Sequence, residues 1–222
     1  MAYILGFIVT DGCLVEHKNG YNALNITNKN KHILRNILDT MESGHKISVK
    51  PRGGVPNRLY FQIQIRDKII YNDLLGLGLT PRKSKTIRVP KTPSVFFGDF
   101  VRGCFDGDGS VTIWQEPRWR HSWQMRTVFS SGSHGFLTDM QKRLYKEAGL
   151  SVGSIQNPRR EYALCYSIAD SIKLYHFMYK NIDNGFLHLK YKLDKFNFFK
   201  KVRPDCFENS IKNSVAPSSS LA

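Results

Sequence analysis

Two stretches of this chain lie over one another without a gap: ILGFIVTDG at 4–12 and VRGCFDGDG at 101–109. Each holds a glycine, Gly6 or Gly103, five residues ahead of an aspartate, Asp11 or Asp108, and each aspartate is followed by glycine. Both read as short helices that stop at an Asp-Gly turn. A glycine inside a helix costs about 1 kcal/mol relative to alanine. That cost at two matching positions predicts close approach of two helix backbones. Packed that way, the helices bring their C-terminal aspartates side by side.

The segments downstream of the two stretches also match, and an internal repeat constrains a fold more than any single element does. After the first come two strand-like runs, GCLVEH and YNALNITN, around Asn19-Gly20, a strong hairpin signal. Asn30 then caps a helix from Lys31 to about Met41, with apolar residues at helical spacing. The strands HKISVKP and RLYFQIQIR come next, and a helix from Asp67 to about Leu75 closes the unit. After the second stretch come strand-like SVTIW and WQMRTVFSS, the helix HGFLTDMQKRLYKEAG, strands VGSIQ and REYALCYSIA, and the helix DSIKLYHFMYK. A last basic helix, HLKYKLDKFNFFKKV, has no full counterpart in the first half.

The expected fold is therefore α+β: two pseudo-symmetric αββαββα repeats, each with an antiparallel four-stranded sheet, joined at the two glycine-bearing helices. Asp11 and Asp108 stand 97 residues apart, which sets the repeat length. Residues 1–80 form the first repeat and 94–205 the second. A linker at 81–93 holds three prolines and five Lys or Arg. The Ser-rich end, 206–222, is expected to be disordered.

Charge narrows the partner. The 222 residues carry 33 Lys plus Arg against 18 Asp plus Glu, a formal charge of +15. A compact domain at that charge repels itself unless it meets a polyanion, and the basic residues are spread along the chain, so they line a folded surface that suits nucleic acid. No apolar run approaches the roughly 20 residues a membrane span needs. The four cysteines form no CxxC pair and the seven histidines no HExxH pair, so a zinc site is not indicated. The N-terminal MAYILGF lacks the basic start of a secretory or transit peptide, so the chain is expected to act where it is made, in a bacterial cytoplasm or an organelle.

The paired aspartates carry the chemistry. Two like charges held together are relieved by a divalent cation, and hard carboxylate oxygens favour Mg²⁺ over zinc. Mn²⁺ is expected to substitute, and Ca²⁺ to bind without supporting cleavage. A basic protein presenting an acid pair with Mg²⁺ has the parts for metal-assisted phosphodiester hydrolysis. The simpler reading is that both aspartates merely begin turns, which Asp-Gly favours. A calcium loop at 106–117 fails, because Val111 stands where glycine is required and Pro117 where glutamate is. Asp11, Glu16 and Lys18 also make a D-x₄-E-x-K, but the second half has no copy.

The two nine-residue stretches, their spacing and the repeated element order resemble the LAGLIDADG homing endonucleases in their monomeric two-motif form, over about residues 2 to 205. The resemblance implies that the penultimate residue of each motif, Asp11 and Asp108, binds metal, and that Thr10 and Gly107 lend backbone carbonyls to it. It places polar side chains beside the reacting water, which fall on Asn28 and Ser131. It also implies a basic residue near the last helix of each repeat, matched to Lys83 and Lys190. The sixth motif position departs, with Val9 in one helix and Asp106 in the other. Asp106 is read as a helix-end cap or a minor electrostatic neighbour of the metal site.

The family would lay polar strand faces on the DNA major groove, whose base edges side chains can read. Counting by two from each motif puts His17 on one face of the first sheet and Thr112 and Trp114 on one face of the second. The neighbouring strands add Tyr21 and Asn25, and Gln124 and Arg126. Later strands offer Gln62, Gln64 and Arg66 with Lys50 and Arg52 nearby, and Arg159 and Arg160. These faces differ between the halves, so the DNA target is expected to be only loosely palindromic. The function expected is a monomeric, site-specific homing endonuclease that needs no protein partner. It makes a Mg²⁺-dependent staggered double-strand break and so promotes mobility of a host intron. Two other functions fit the same fold and charge: an RNA-binding intron maturase, whose partner is intron RNA, and a DNA-binding regulator that does not cut.

Overall fold

A computed structural model describes residues 1–17, 19–51, 59–118, 122–157, 161–180 and 185–208. The first half runs α1 (Ala2–Asp11), β1 (Gly12–Glu16), β2 (Asn22–Asn28), α2 (Lys31–Thr40), β3 (Ile47–Pro51), β4 (Leu59–Ile65) and α3 (Lys68–Gly76). The second runs α4 (Phe97–Asp108), β5 (Gly109–Gln115), β6 (Trp123–Ser131), α5 (His134–Ala148), β7 (Ser154–Gln156), β8 (Tyr162–Tyr166), α6 (Ile168–Tyr179) and α7 (Lys190–Val202). Two short 3₁₀ turns, Lys83–Lys85 and Ser94–Phe96, lie between them. The antiparallel sheets have matching strand orders, β1-β2-β4-β3 and β5-β6-β8-β7.

Local chemistry sets the element ends. The Asn30 side chain accepts from the amides of His32 and Ile33 at the start of α2, and Asp67 accepts from Ile70 at the start of α3. Ser133 does the same for Phe136 at the start of α5, and Gly149 ends that helix in the left-handed region at φ 62°. Helix α6 begins at Ile168, two residues earlier than the sequence pattern predicts, because Asp170 is an inward residue of its first turn. Its carboxylate accepts from the Ser151 amide and hydroxyl.

Each sheet buries one face under its own helices. Leu24, Ile26, Ile63 and Ile65 lie under Ile33, Leu34, Ile37 and Leu38 of α2. Met125, Phe129 and Leu164 meet Phe136, Leu137 and Met140 of α5. Full burial of such side chains contributes about 1.5–3 kcal/mol each, so the helix-covered face fixes strand register.

The halves join where α1 crosses α4, and the glycines permit it. A Cβ on Gly6 would stand 2.1 Å from the Phe100 carbonyl oxygen, and one on Gly103 would stand 2.0 Å from that of Tyr3. The terminal motif glycines do something different from the turn that the sequence suggests. Gly12 is extended (φ −93°, ψ 152°), as is Gly109, and each helix passes straight into a strand. A Cβ at Gly12 would lie 2.5 Å from the Ile8 carbonyl oxygen, so glycine is what lets the chain change direction there without a loop.

Candidate active site and nucleic-acid interface

Asp11 and Asp108 are the last residues of α1 and α4, so the helix crossing determines their placement. Thr10 and Gly107, one residue earlier, touch: a Cβ on Gly107 would be 1.9 Å from the Thr10 hydroxyl oxygen. That hydroxyl donates back to the carbonyls of Gly6 and Phe7 at 3.2 and 3.0 Å, which holds the Thr10 side chain against the neighbouring helix. The two C-terminal turns thus meet, each with the partial negative charge of a helix end.

Burial raises both acids. Asp11 is pushed up to about 6, chiefly by desolvation, and the Asp108 charge adds to this, while the amide of Asn28 opposes it. Asp108 is also raised, first by burial and then by the carboxylate of Glu161. Asn28 sits beside Asp11 as the resemblance implies, its amide nitrogen 2.6 Å from Asp11 Oδ2. Its own Oδ1 accepts from the Asn30 amide at 2.8 Å, which orients the donating end toward the acid. Ser131 takes the equivalent place at the end of β6, and its hydroxyl accepts from the Ser133 amide at 3.1 Å.

Two lysines reach the helix ends. The Lys83 ammonium donates to the Gly12 carbonyl at 2.7 Å and is buried. Its counterpart is Lys192, whose ammonium donates to the carbonyls of Phe105, Asp106 and Gly109 at 2.5, 2.8 and 2.7 Å. Burial lowers both, Lys192 to about 8, against the pull of the nearby carboxylates. Lys190, which the resemblance proposes, is not at the site: its side chain is 81% exposed and pairs with Asp194 at 2.8 Å. The reason is helical phase. Leu189, Lys192, Phe196 and Phe199 share the buried stripe of α7, whereas Lys190 points off it. The stripe is readable as i, i+3, i+7 in the sequence, and counting it selects Lys192.

Asp106 does not cap the end of α4, and its carboxylate is an electrostatic neighbour of the Lys192 ammonium. Its carboxylate is buried and accepts from the Tyr3 hydroxyl and the Leu189 amide, both at 2.8 Å. It ties α1, α4 and the start of α7 together, and burial raises it above the usual carboxylate range. Glu161, an exposed carboxylate just before β8, carries no sequence signal for its effect on Asp108.

The outer sheet faces hold most of the remaining candidates. Cys13, Asn25 and Gln64 line up across the first sheet, as do Thr27, Gln62 and Ser48, with Lys50 opposite Tyr60 at its edge. His17 stacks on Tyr21 with ring centroids 4.0 Å apart, and the Arg66 guanidinium lies over the Tyr21 ring at 4.3 Å. Ala23 shares this face yet is fully buried. In the second sheet Thr112 pairs with Arg126 and Trp114 with Gln124. Arg126 donates to Gln156 Oε1 at 3.1 Å and to Cys165 Sγ at 3.0 Å. Arg52, Arg159 and Arg160 lie outside the described residues, as do residues 209–222 of the expected disordered end.

The donor set fits a hard divalent cation: two desolvated carboxylates at meeting helix ends, with backbone carbonyls beside them. Among the described residues no three His, Cys, Asp or Glu side chains converge.

No protein-family model and no curated protein matches this chain. Solved structures do. The LAGLIDADG meganuclease I-AabMI bound to uncleaved DNA is 13% identical, with 96% of this chain and 91% of that one covered at a TM-score of 0.57. I-CpaMI, another LAGLIDADG meganuclease bound to uncleaved DNA, is 12% identical, with 98% and 99% covered, again at 0.57. The N-terminal LAGLIDADG domain of DUF199/WhiA is 18% identical, with 80% and 79% covered at 0.54. These identities speak to architecture, and the architecture agrees with the paired motifs, the matched sheets and the touching helices. The chain has the LAGLIDADG fold, with both of its repeats in one polypeptide.

Proposed function

We propose that this chain is a site-specific endonuclease that cuts both strands of a DNA duplex, and that the break promotes mobility of a host intron. One observation carries the reading: two desolvated aspartates end two touching helices, between two sheets with polar outer faces, in a chain of formal charge +15. The likeness to structures of meganucleases bound to DNA supports the same substrate.

Asp11 and Asp108 would hold Mg²⁺, with the carbonyls of Thr10 and Gly107 beside it. Bound there, the cation would polarise the scissile phosphate and lower the pKa of a water molecule. The chain's own groups do the remaining work. Asn28 orients Asp11 and is placed to hold a water by its amide. Lys83 and Lys192 offset the charge that gathers at the helix ends, and burial lowers both, Lys192 to about 8. Lys50 on the outer face grips phosphate, while the strand side chains face base edges.

The test is cleavage of a randomised duplex library with sequencing of every new end. Staggered ends at related long sites are expected in Mg²⁺, and none in Ca²⁺. Asp11→Asn and Asp108→Asn should each abolish double-strand cutting while DNA binding persists. Specific binding with no ends in Mg²⁺ or Mn²⁺ would leave a regulator of this fold instead.

A further inference from the structure

Two arginines occupy the same place on the two sheets, reached from different strands. The halves align on Gly12 with Gly109, on Asn28 with Ser131 at the ends of β2 and β6, and on their cross-strand partners Phe61 and Tyr162. In that alignment Val15, Ala23 and Arg66 match Thr112, Arg126 and Ser167. Val15 pairs with Ala23, and Arg66 lies one step past the Leu24–Ile65 pair, beside Ala23. Thr112 pairs with Arg126, and Ser167 lies one step past the Thr127–Tyr166 pair, beside Arg126. The first half thus has alanine on the inner strand and arginine on its neighbour, and the second half has arginine on the inner strand and serine on its neighbour.

The devices that hold the two guanidiniums also correspond. Gln64 accepts from Arg66 Nη2 at 3.1 Å, and Cys165, at the matching position of β8, accepts from Arg126 Nη2 at 3.0 Å. Tyr21 supports Arg66 from one side, and Gln156 gives Arg126 a second acceptor. A long flexible side chain fixed before binding loses less rotamer entropy on meeting its ligand. Sulfur is a weak acceptor, so a base edge can displace the Cys165 contact at little cost.

We propose, resting on the duplex-DNA reading above, that Arg66 and Arg126 each read a guanine, at positions equidistant from the centre of the target. Both stand three residues along the sheet from a motif glycine, about 10 Å at strand rise, or about three base steps. Arginine's fork matches guanine O6 and N7 in the major groove. The target is then asymmetric at most positions but carries a symmetric pair of G·C pairs.

The experiment is selection from a randomised duplex library by the full chain in Ca²⁺, with the native protein, Arg66→Ala and Arg126→Ala. Arg66→Gln and Arg126→Gln keep a long polar side chain and guard against a folding artefact. The native chain should enrich guanine at two positions equidistant from the centre. Each alanine variant should lose about 5- to 150-fold of discrimination at one of them only. Each glutamine variant should weaken guanine at the same position as the matching alanine variant. A native target without that symmetric pair, or variants that leave it unchanged, overturns this inference while the duplex-DNA reading stands. A native chain that enriches no duplex sequence overturns both.

Discussion

The two halves share one architecture and differ at the atoms that surround their acids. Asp11 receives an amide from Asn28, whereas Asp108 has a serine at the equivalent strand end and a second carboxylate, Glu161, nearby. Lys83 satisfies one carbonyl, and Lys192 satisfies three. Backbone geometry is duplicated because the helix crossing demands it, while the polar groups around the acids take no part in that crossing and differ. On the proposed function, unequal surroundings predict unequal cutting of the two strands.

The largest way to break that comparison is at the lysines. Lys192→Met should slow cutting by on the order of 10²-fold, since it removes the donor to three helix-end carbonyls. Lys83→Met should cost less, and Lys190→Met should leave single-turnover rates unchanged. Equal losses at Lys190 and Lys192 would contradict the placement by helical phase. At the crossing the halves should behave alike, because the contact is reciprocal. Gly6→Ala and Gly103→Ala should each cost about 3 kcal/mol, a fall in melting temperature of roughly 6–12 °C. Gly76→Ala, where nothing lies within 4 Å, is the control and should change little.

Proton linkage sharpens the contrast further. Asp11 is held near 6 against 3.8, so between those values the folded state binds more protons and metal-free stability falls as pH rises. Lys192 is held near 8 against 10.5, so there the unfolded state binds more protons and stability rises with pH. Each slope amounts to about 3 kcal/mol over its window, and denaturant midpoints in chelator should show both. Asp11→Asn should flatten the acidic slope and leave the alkaline one. The smallest effect is expected from Asn28→Ser, which makes the first half like the second. It should slow only one strand, by several-fold, and strand-labelled duplex would reveal the nicked intermediate.

Much of this architecture is legible in the amino-acid sequence. The two motifs mark the repeats, and Gly6 and Gly103 announce the crossing because a helix tolerates such residues only where something presses close. Alternation in RLYFQIQIR separates Gln62 and Gln64 from the core, and Asn28 is found by its place at a strand end. Lys192 is missed because the eye takes a buried lysine for a surface one unless the apolar stripe is counted through it. Glu161 and the bond from Tyr3 to Asp106 join residues far apart in sequence, and no local pattern encodes such meetings.

That bond has a consequence for the origin and the engineering of the chain. Tyr3 and Phe100 are equivalent, and the crossing sets Gly6 on Phe100 and Gly103 on Tyr3, the self-complementary contact of a twofold dimer. One exception is the Tyr3 hydroxyl on Asp106, for which the mirrored pair is Phe100 and Val9. Two copies of the second half would press Asp106 against Phe100 and strand the carboxylate without its hydroxyl, while two copies of the first would leave Tyr3 facing Val9. The Tyr3 hydroxyl, with the bare Gly107 that faces Thr10, thus makes each half prefer the other to itself. Anyone recombining halves from different relatives would have to carry that pair across the seam.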